Sequence, residues 1–123
     1  MKQVIVGTYA FGFERGILVL REGKAANAEF LPEDKGLVKF FIGADDPHWR
    51  NIVESLLHEV QEVIMTKMDC SWIPSYYYGN DSNRYKFTMT HPQFQEMCCR
   101  TAEFITPALP DLAKAWKKWK AKK

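Results

Sequence analysis

Residues 47–68 read PHWRNIVESLLHEVQEVIMTKM, and they carry the clearest structural pattern in the chain. Its apolar residues recur at intervals of three and four, the spacing of an amphipathic helix with one buried stripe. Asp46 occupies the position of an N-cap, and Pro47 the first helical position, where a missing N–H does no harm. The sequence therefore predicts one long helix whose apolar side lies against a sheet. The stripe comprises Trp49, Ile52, Val53, Leu56, Leu57, Val60, Val63, Ile64 and Met68.

Four segments outside this helix carry strand signals. Residues 3–10 (QVIVGTYA) and 16–21 (GILVLR) predict an antiparallel hairpin, because β-branched and aromatic residues flank a glycine-containing turn. The polar residues 25–35 predict a loop. Residues 36–43 (GLVKFFIG) are almost continuously apolar, which indicates a central strand, and residues 84–90 (RYKFTMT) alternate as a half-buried strand does. The fold class we predict is α+β, with a small, mainly antiparallel sheet of about four strands.

The C-terminal third predicts helices. Thr90 and Gln93 fit a capping box at the start of one helix. Pro107 and Pro110 are expected to interrupt it, since proline removes a helical hydrogen bond. A short, basic third helix is then predicted at about 111–123, so that the sheet is packed by the long central helix and a C-terminal helical segment.

Length and composition limit the possible classes of protein. A chain of 123 residues, 46% hydrophobic, is expected to form a single domain over 1–123. No apolar run has the length of a membrane span. The odd count of three cysteines is a poor disulfide framework and suggests a reducing compartment, so we expect a cytoplasmic protein. The net charge of +2 is unevenly distributed, because residues 111–123 carry +5 and the rest of the chain −3.

One short motif on the long helix suggests chemistry. His58 and Glu62 are four residues apart, so they share a helix face, and an imidazole nitrogen and a carboxylate oxygen there are possible zinc ligands. Glu59 follows the histidine directly, which is where an H-E-x-x-H signature places its general base.

Residues 54–64, ESLLHEVQEVI, resemble the motif helix of minimal zincin-type metallopeptidase-like proteins, which phages and prophages often encode. The layout of residues 36–105 is similar as well, with a short sheet, this helix and then a second helix. The resemblance implies a zinc-dependent hydrolase with Glu59 as the catalytic residue, although Glu62 replaces the second motif histidine. His91 or Glu96 would then supply a third metal ligand.

The same pair has an alternative interpretation that needs no metal. On a helical wheel the apolar stripe centres near Leu56 and Val60, and His58 and Glu62 fall almost opposite to it. That is the solvated face of an ordinary helix, where a histidine–glutamate pair is a common surface contact. We favour this interpretation, and therefore expect no cofactor, with zinc as the alternative.

Two further segments suggest binding to a macromolecule. Tryptophan and tyrosine are favoured at interface hot spots, and they cluster after the long helix. The lysine-rich end, AKAWKKWKAKK, could contact an acidic protein, an anionic membrane surface or the phosphates of a nucleic acid, or its tryptophans could dock on the body of the protein. The candidate partner-binding residues are Trp72, Tyr76, Tyr77, Tyr78, Trp116, Lys117, Lys118, Trp119 and Lys120.

The function these observations favour is a non-catalytic protein-binding module of the phage or prophage type, one that modulates a host factor in the host cytoplasm. A protein is thus the expected partner. The alternatives are a metal-binding or degenerate zinc-dependent hydrolase and a nucleic-acid binder acting through the lysine-rich tail.

Overall fold

A computed structural model describes residues 2–31, 33–72 and 86–122, and only the backbone of residues 35, 71, 72, 86 and 87. Within these residues the chain forms six strands and two helices. In chain order they are β1 (Gln3–Phe11), β2 (Glu14–Arg21), β3 (Asn27–Leu31), β4 (Asp34–Gly43), α1 (Trp49–Lys67), β5 (Ser71–Trp72), β6 (Lys86–Phe87) and α2 (His91–Ala121).

The main sheet has four strands in the order β1-β2-β4-β3, and its pairing is mixed. β1 with β2 and β3 with β4 are antiparallel, whereas β2 and β4 are parallel. The prediction of an α+β fold with a small, mainly antiparallel sheet is confirmed, and so is the central place of the apolar strand β4. One edge of the sheet is β1 and the other is β3.

Two strand predictions were wrong. The segment expected to be a loop contains β3, which pairs with β4 through Ala28 opposite Phe40. An edge strand buries few side chains, so it needs little of the apolar alternation that reveals a strand. The predicted strand at 84–90 does not join the main sheet, because its described part, β6, pairs with β5 in a separate two-stranded ribbon.

The core lies between the main sheet and the two helices. The predicted apolar stripe of α1 forms part of this core, and its residues Ile52, Leu56 and Val60 are almost inaccessible to solvent. Gly16 leaves room for two aromatic rings, because a Cβ atom there would lie 2.5 Å from Phe40. Four rings then meet edge to edge or edge to face at centroid distances of 5.3–6.0 Å. They belong to Tyr9, Phe11, Phe40 and Phe104.

The long helix begins two residues later than predicted. Its N-cap is His48, and Asp46 instead fixes the preceding turn by accepting the His48 N–H at 2.9 Å and the Asn51 side-chain amide at 3.1 Å. The hydrogen bond from His48 lowers the pKa of Asp46. Aspartate therefore acts here through an Asx-type turn, which competes with N-capping for the same side chain.

The predicted interruption of the C-terminal helix was wrong. The capping box of Thr90 and Gln93 is confirmed, but α2 then continues through Pro107 and Pro110 for 31 residues. Both prolines are exposed, so the carbonyls that lose a helical bond remain accessible to water. Packing of the opposite side stabilises the helix across this point. The buried residues there are Phe104, Ala108 and Leu112.

The basic segment predicted as a separate helix at 111–123 is therefore the last part of α2. In the described part of the chain, neither helix is long and apolar enough to cross a membrane.

Candidate functional site

The motif residues of α1 lie on the solvated side of the helix, as the favoured interpretation expected. His58 Nε2 lies 3.0 Å from Glu62 Oε2, with side-chain exposures of 67% and 49%. The pair is formed, but it is an exposed contact between residues one helical turn apart. Such a pair is typically worth a few tenths of a kcal/mol, about 0.3–0.5.

Glu59 is the least exposed of the three motif residues, with a side-chain exposure of 16%. Its Oε2 lies 3.8 Å from His58 Nε2. Burial raises the pKa of the Glu59 carboxyl, and the charge of Glu62 raises it further, while the His58 ring opposes both effects. A raised carboxyl pKa suits a general base, but it also follows from partial burial alone.

The described residues do not complete a metal site around this pair. No three histidine, cysteine or acidic side chains among residues 2–31, 33–72 and 86–122 converge in a way that could hold an ion. His91, a predicted third ligand, is an exposed first-turn residue of α2. Glu96, the other, accepts a hydrogen bond from Arg100 Nε at 2.9 Å. The donor set available here does not fit a zinc centre, which needs three or four ligands.

The predicted aromatic cluster lies mostly outside the described residues. Tyr76, Tyr77 and Tyr78 belong to the segment that is not described, and of Trp72 only the backbone is described, in β5. Their part in partner binding stays a prediction.

The two tryptophans of the lysine-rich end dock on the protein body, the second of the two possibilities considered. Each is only 7% exposed. The Trp116 indole donates to the Ala44 carbonyl at 3.1 Å, and the Trp119 indole donates to Asp45 Oδ1 at 3.0 Å. Both indole N–H groups are therefore satisfied inside the protein, and both rings are largely buried.

The lysines beside these tryptophans remain at the surface. Lys117, Lys118 and Lys120 are all exposed. Lys120 Nζ lies 4.1 Å from the centroid of the Trp116 ring, so this charge covers part of the docked indole as a cation–π contact. Lys118 faces a different way, into a groove.

This groove has a volume of about 800 Å³. It lies between the first half of β1 and the last turns of α2, and we call it the β1–α2 groove. Its apolar lining includes Val4, which is 44% exposed, and Ile5, which is 68% exposed. The remaining apolar lining residues are Val6, Ala115 and Trp119.

The charged lining of the β1–α2 groove is almost entirely positive. Lys114, Lys118 and Lys122 follow one another at intervals of four, so they lie along one side of α2 over about 12 Å. Lys2, the residue before β1, adds a fourth positive charge, and Asp111 is the only acidic residue among the described residues that line the groove. Four lysines facing a partly apolar concavity favour a ligand that is both negatively charged and apolar.

Asp111 is already engaged within the protein. Its Oδ2 accepts the Tyr9 hydroxyl at 2.7 Å, and Tyr9 is 8% exposed. Burial, and then the hydrogen bond to Asp111, raise the pKa of Tyr9, so the phenol stays neutral and donates. The carboxylate is thus held at one end of the groove by its bond to Tyr9, one helical turn before Lys114.

Sequence reasoning found Lys118 and Trp119 and missed the other groove residues. The four-residue spacing of lysines 114, 118 and 122 was a readable signal for one charged face. The sequence contains no such signal for Lys2, Val4 and Ile5, because their proximity to α2 depends on how the first strand packs against the last helix.

Comparison of this chain with protein-family models, with curated proteins and with solved structures finds no match.

Proposed function

We propose that this protein is a non-catalytic protein-binding module, and that its partner offers a negatively charged surface to the β1–α2 groove. The observation that carries the proposal is the combination of four lysines with exposed apolar residues in one concavity. Surfaces of this kind recognise partners by charge complementarity, while the apolar contacts supply most of the affinity.

A nucleic acid fits the groove less well than a protein does. Proteins that bind single strands combine a basic track with aromatic faces on which bases stack. Here both tryptophans of the basic segment are buried, and their N–H groups are bonded to Ala44 and Asp45. The lysine row alone would provide weak phosphate binding that salt removes readily.

The described residues support a hydrolase less than they support a binding module. The motif pair of His58 and Glu62 is exposed on α1 and lacks a third ligand among residues 2–31, 33–72 and 86–122. The groove contains neither residue. We therefore place the function in the groove and not at the motif.

The test uses three labelled probes and the full-length protein. They are a twelve-residue peptide of alternating glutamate and valine, its lysine–valine counterpart and a twelve-nucleotide oligothymidylate. We expect fluorescence anisotropy to show binding of the acidic peptide and much weaker binding of the other two. Preferential binding of the oligothymidylate would replace the proposal by nucleic-acid binding.

A pair of charge reversals locates the binding surface. Lys118→Glu should weaken binding of the acidic peptide by on the order of tenfold, because an attraction of about 0.5–1 kcal/mol becomes a repulsion of similar size. Lys117→Glu is the matched control, since it makes the same charge change on the neighbouring exposed residue, which does not line the groove. Equal losses in the two variants would contradict binding in the groove.

A further inference from the structure

The outer edge of β1 provides hydrogen-bonding groups beside the lysine row. β1 is a terminal strand of the main sheet, and among residues 2–31, 33–72 and 86–122 it pairs only with β2. The Lys2 carbonyl accepts the Glu22 N–H, so residue 2 belongs to a hydrogen-bonded pair of the antiparallel ladder. Because such pairs alternate with pairs that do not exchange hydrogen bonds, the N–H and C=O groups of Gln3 and Ile5 point away from β2.

Within the described residues, no hydrogen bond outside this ladder involves the backbone of Gln3 or Ile5. The edge is short, since the β1–β2 register shifts between Ile5 and Gly7. A bulge of this kind ends regular pairing and limits an added strand to about four residues.

We propose that the partner contributes an extended acidic segment, which adds to β1 at Gln3–Val6 as a fifth strand of the main sheet. This inference rests on the proposed function and specifies how the partner binds. Strand addition obtains affinity from main-chain hydrogen bonds and specificity from alternate side chains. Side chains alternate between the two faces of a strand, so the segment's carboxylates would face the lysines of α2 and its apolar side chains would lie on the opposite face, beside Ile5.

The four lysines of the groove favour an acidic segment over a second copy of this chain as the strand that pairs with β1. Pairing two β1 edges would bring two sets of four lysines together, and like charges across an interface oppose association. An acidic strand instead neutralises the row. Its length is also suitable, because residues 2–6 of β1 extend over about 13 Å and the lysine row over about 12 Å.

Backbone pairing is tested at Ile5. Ile5→Pro removes the outward N–H while leaving the ladder to β2 intact, as proline is tolerated on an edge strand when its nitrogen faces solvent. We expect the affinity for the glutamate–valine peptide to fall at least tenfold. Ile5→Ala is the control, since it keeps the N–H and also loses most of the side chain, and it should bind the peptide at least tenfold more tightly than Ile5→Pro does.

Two measurements on the unmodified protein make the test independent of how the variants fold. A peptide of the same charge with its central amides N-methylated should lose at least tenfold in affinity. Saturation with the parent peptide should slow amide hydrogen exchange at Gln3 and Ile5 at least tenfold, and leave Thr8, beyond the bulge, unchanged.

The outcomes separate the two proposals. If the N-methylated peptide and the Ile5→Pro variant bind as well as their parents while Lys118→Glu still weakens binding, strand addition is wrong and the groove proposal stands. If the parent peptide does not bind at all, both proposals fail.

Discussion

At the scale of single residues, the hydrogen bond from Tyr9 to Asp111 makes the clearest prediction. Tyr9→Phe removes a 2.7 Å bond that joins β1 to α2. Asp111 is exposed and can be solvated instead, so we expect a loss of about 1 kcal/mol in the free energy of unfolding at pH 7. Urea unfolding of the two proteins measures it.

The same bond predicts a pH dependence with a definite sign. The pKa of Tyr9 is raised in the folded state, chiefly by burial, so the folded protein holds this proton more tightly than the unfolded chain does. The stabilisation is complete below the ordinary tyrosine pKa of about 10 and decreases as the pH rises above it.

Urea unfolding of wild type and Tyr9→Phe at pH 7 and at pH 10.5 therefore gives a stability difference that shrinks at the higher pH. The other four tyrosines titrate in both proteins and cancel in the difference. A difference that is constant with pH would contradict a buried, hydrogen-bonded phenol at this position.

At the scale of elements, Asp45 connects three parts of the fold. Its carboxylate accepts the Gly23 N–H at 2.7 Å and the Trp119 indole N–H at 3.0 Å. It thereby holds the end of β4 against the turn after β2 and against α2. Asp45→Ala leaves a largely buried indole N–H without this acceptor, and we expect a loss of about 2–3 kcal/mol in the free energy of unfolding.

Asp46→Ala is the matched control for this prediction. It removes the neighbouring carboxylate, whose bonds to His48 and Asn51 join the turn before α1 to the first turn of that helix. We expect a smaller loss of stability, since both bonds are exposed and local and their donors can be solvated. If chemical denaturation shows the two variants to be equally destabilised, Asp45 does not connect the elements as described.

The elements that the sequence predicted well are those whose burial leaves a periodic pattern. The stripe of α1 and the apolar strand β4 are examples, because each presents a full face to the core. β3 was not predicted, because an edge strand buries too few side chains to show an alternating pattern. The prolines of α2 led to a wrong prediction for a different reason. Proline locally favours the end of a helix, but the packing of Phe104 and Leu112 keeps α2 continuous.

At the scale of the whole molecule, the candidate site was only partly predictable. The lysines of the β1–α2 groove are visible in the sequence, but a groove requires a second wall, and that wall is the first strand of the chain. Residues more than 100 positions apart meet there, and no local pattern encodes their proximity. The motif at His58 was visible for the opposite reason, since all its members lie within five residues.

A zinc-binding experiment distinguishes the motif on α1 from the β1–α2 groove as the functional site. Two ligands on an exposed helix face bind a metal ion weakly, so we expect 100 μM zinc to leave the unfolding temperature of the untagged protein unchanged within about 1 °C. A real site with a dissociation constant 100-fold below the zinc concentration would add about 2.7 kcal/mol, which corresponds to several degrees for a chain of this length.

The control variants for the zinc experiment are His58→Ala, which removes the motif histidine, and His48→Ala, which removes a histidine at the start of the same helix. A stabilisation by zinc that disappears in the first variant and persists in the second would establish a metal site on α1. Its third ligand would then be sought with His91→Ala, and the hydrolase would displace the binding module as the favoured function. If zinc leaves the unfolding temperatures of the wild type and both variants unchanged, the pair of His58 and Glu62 is a surface contact, in agreement with its 3.0 Å distance and high exposure.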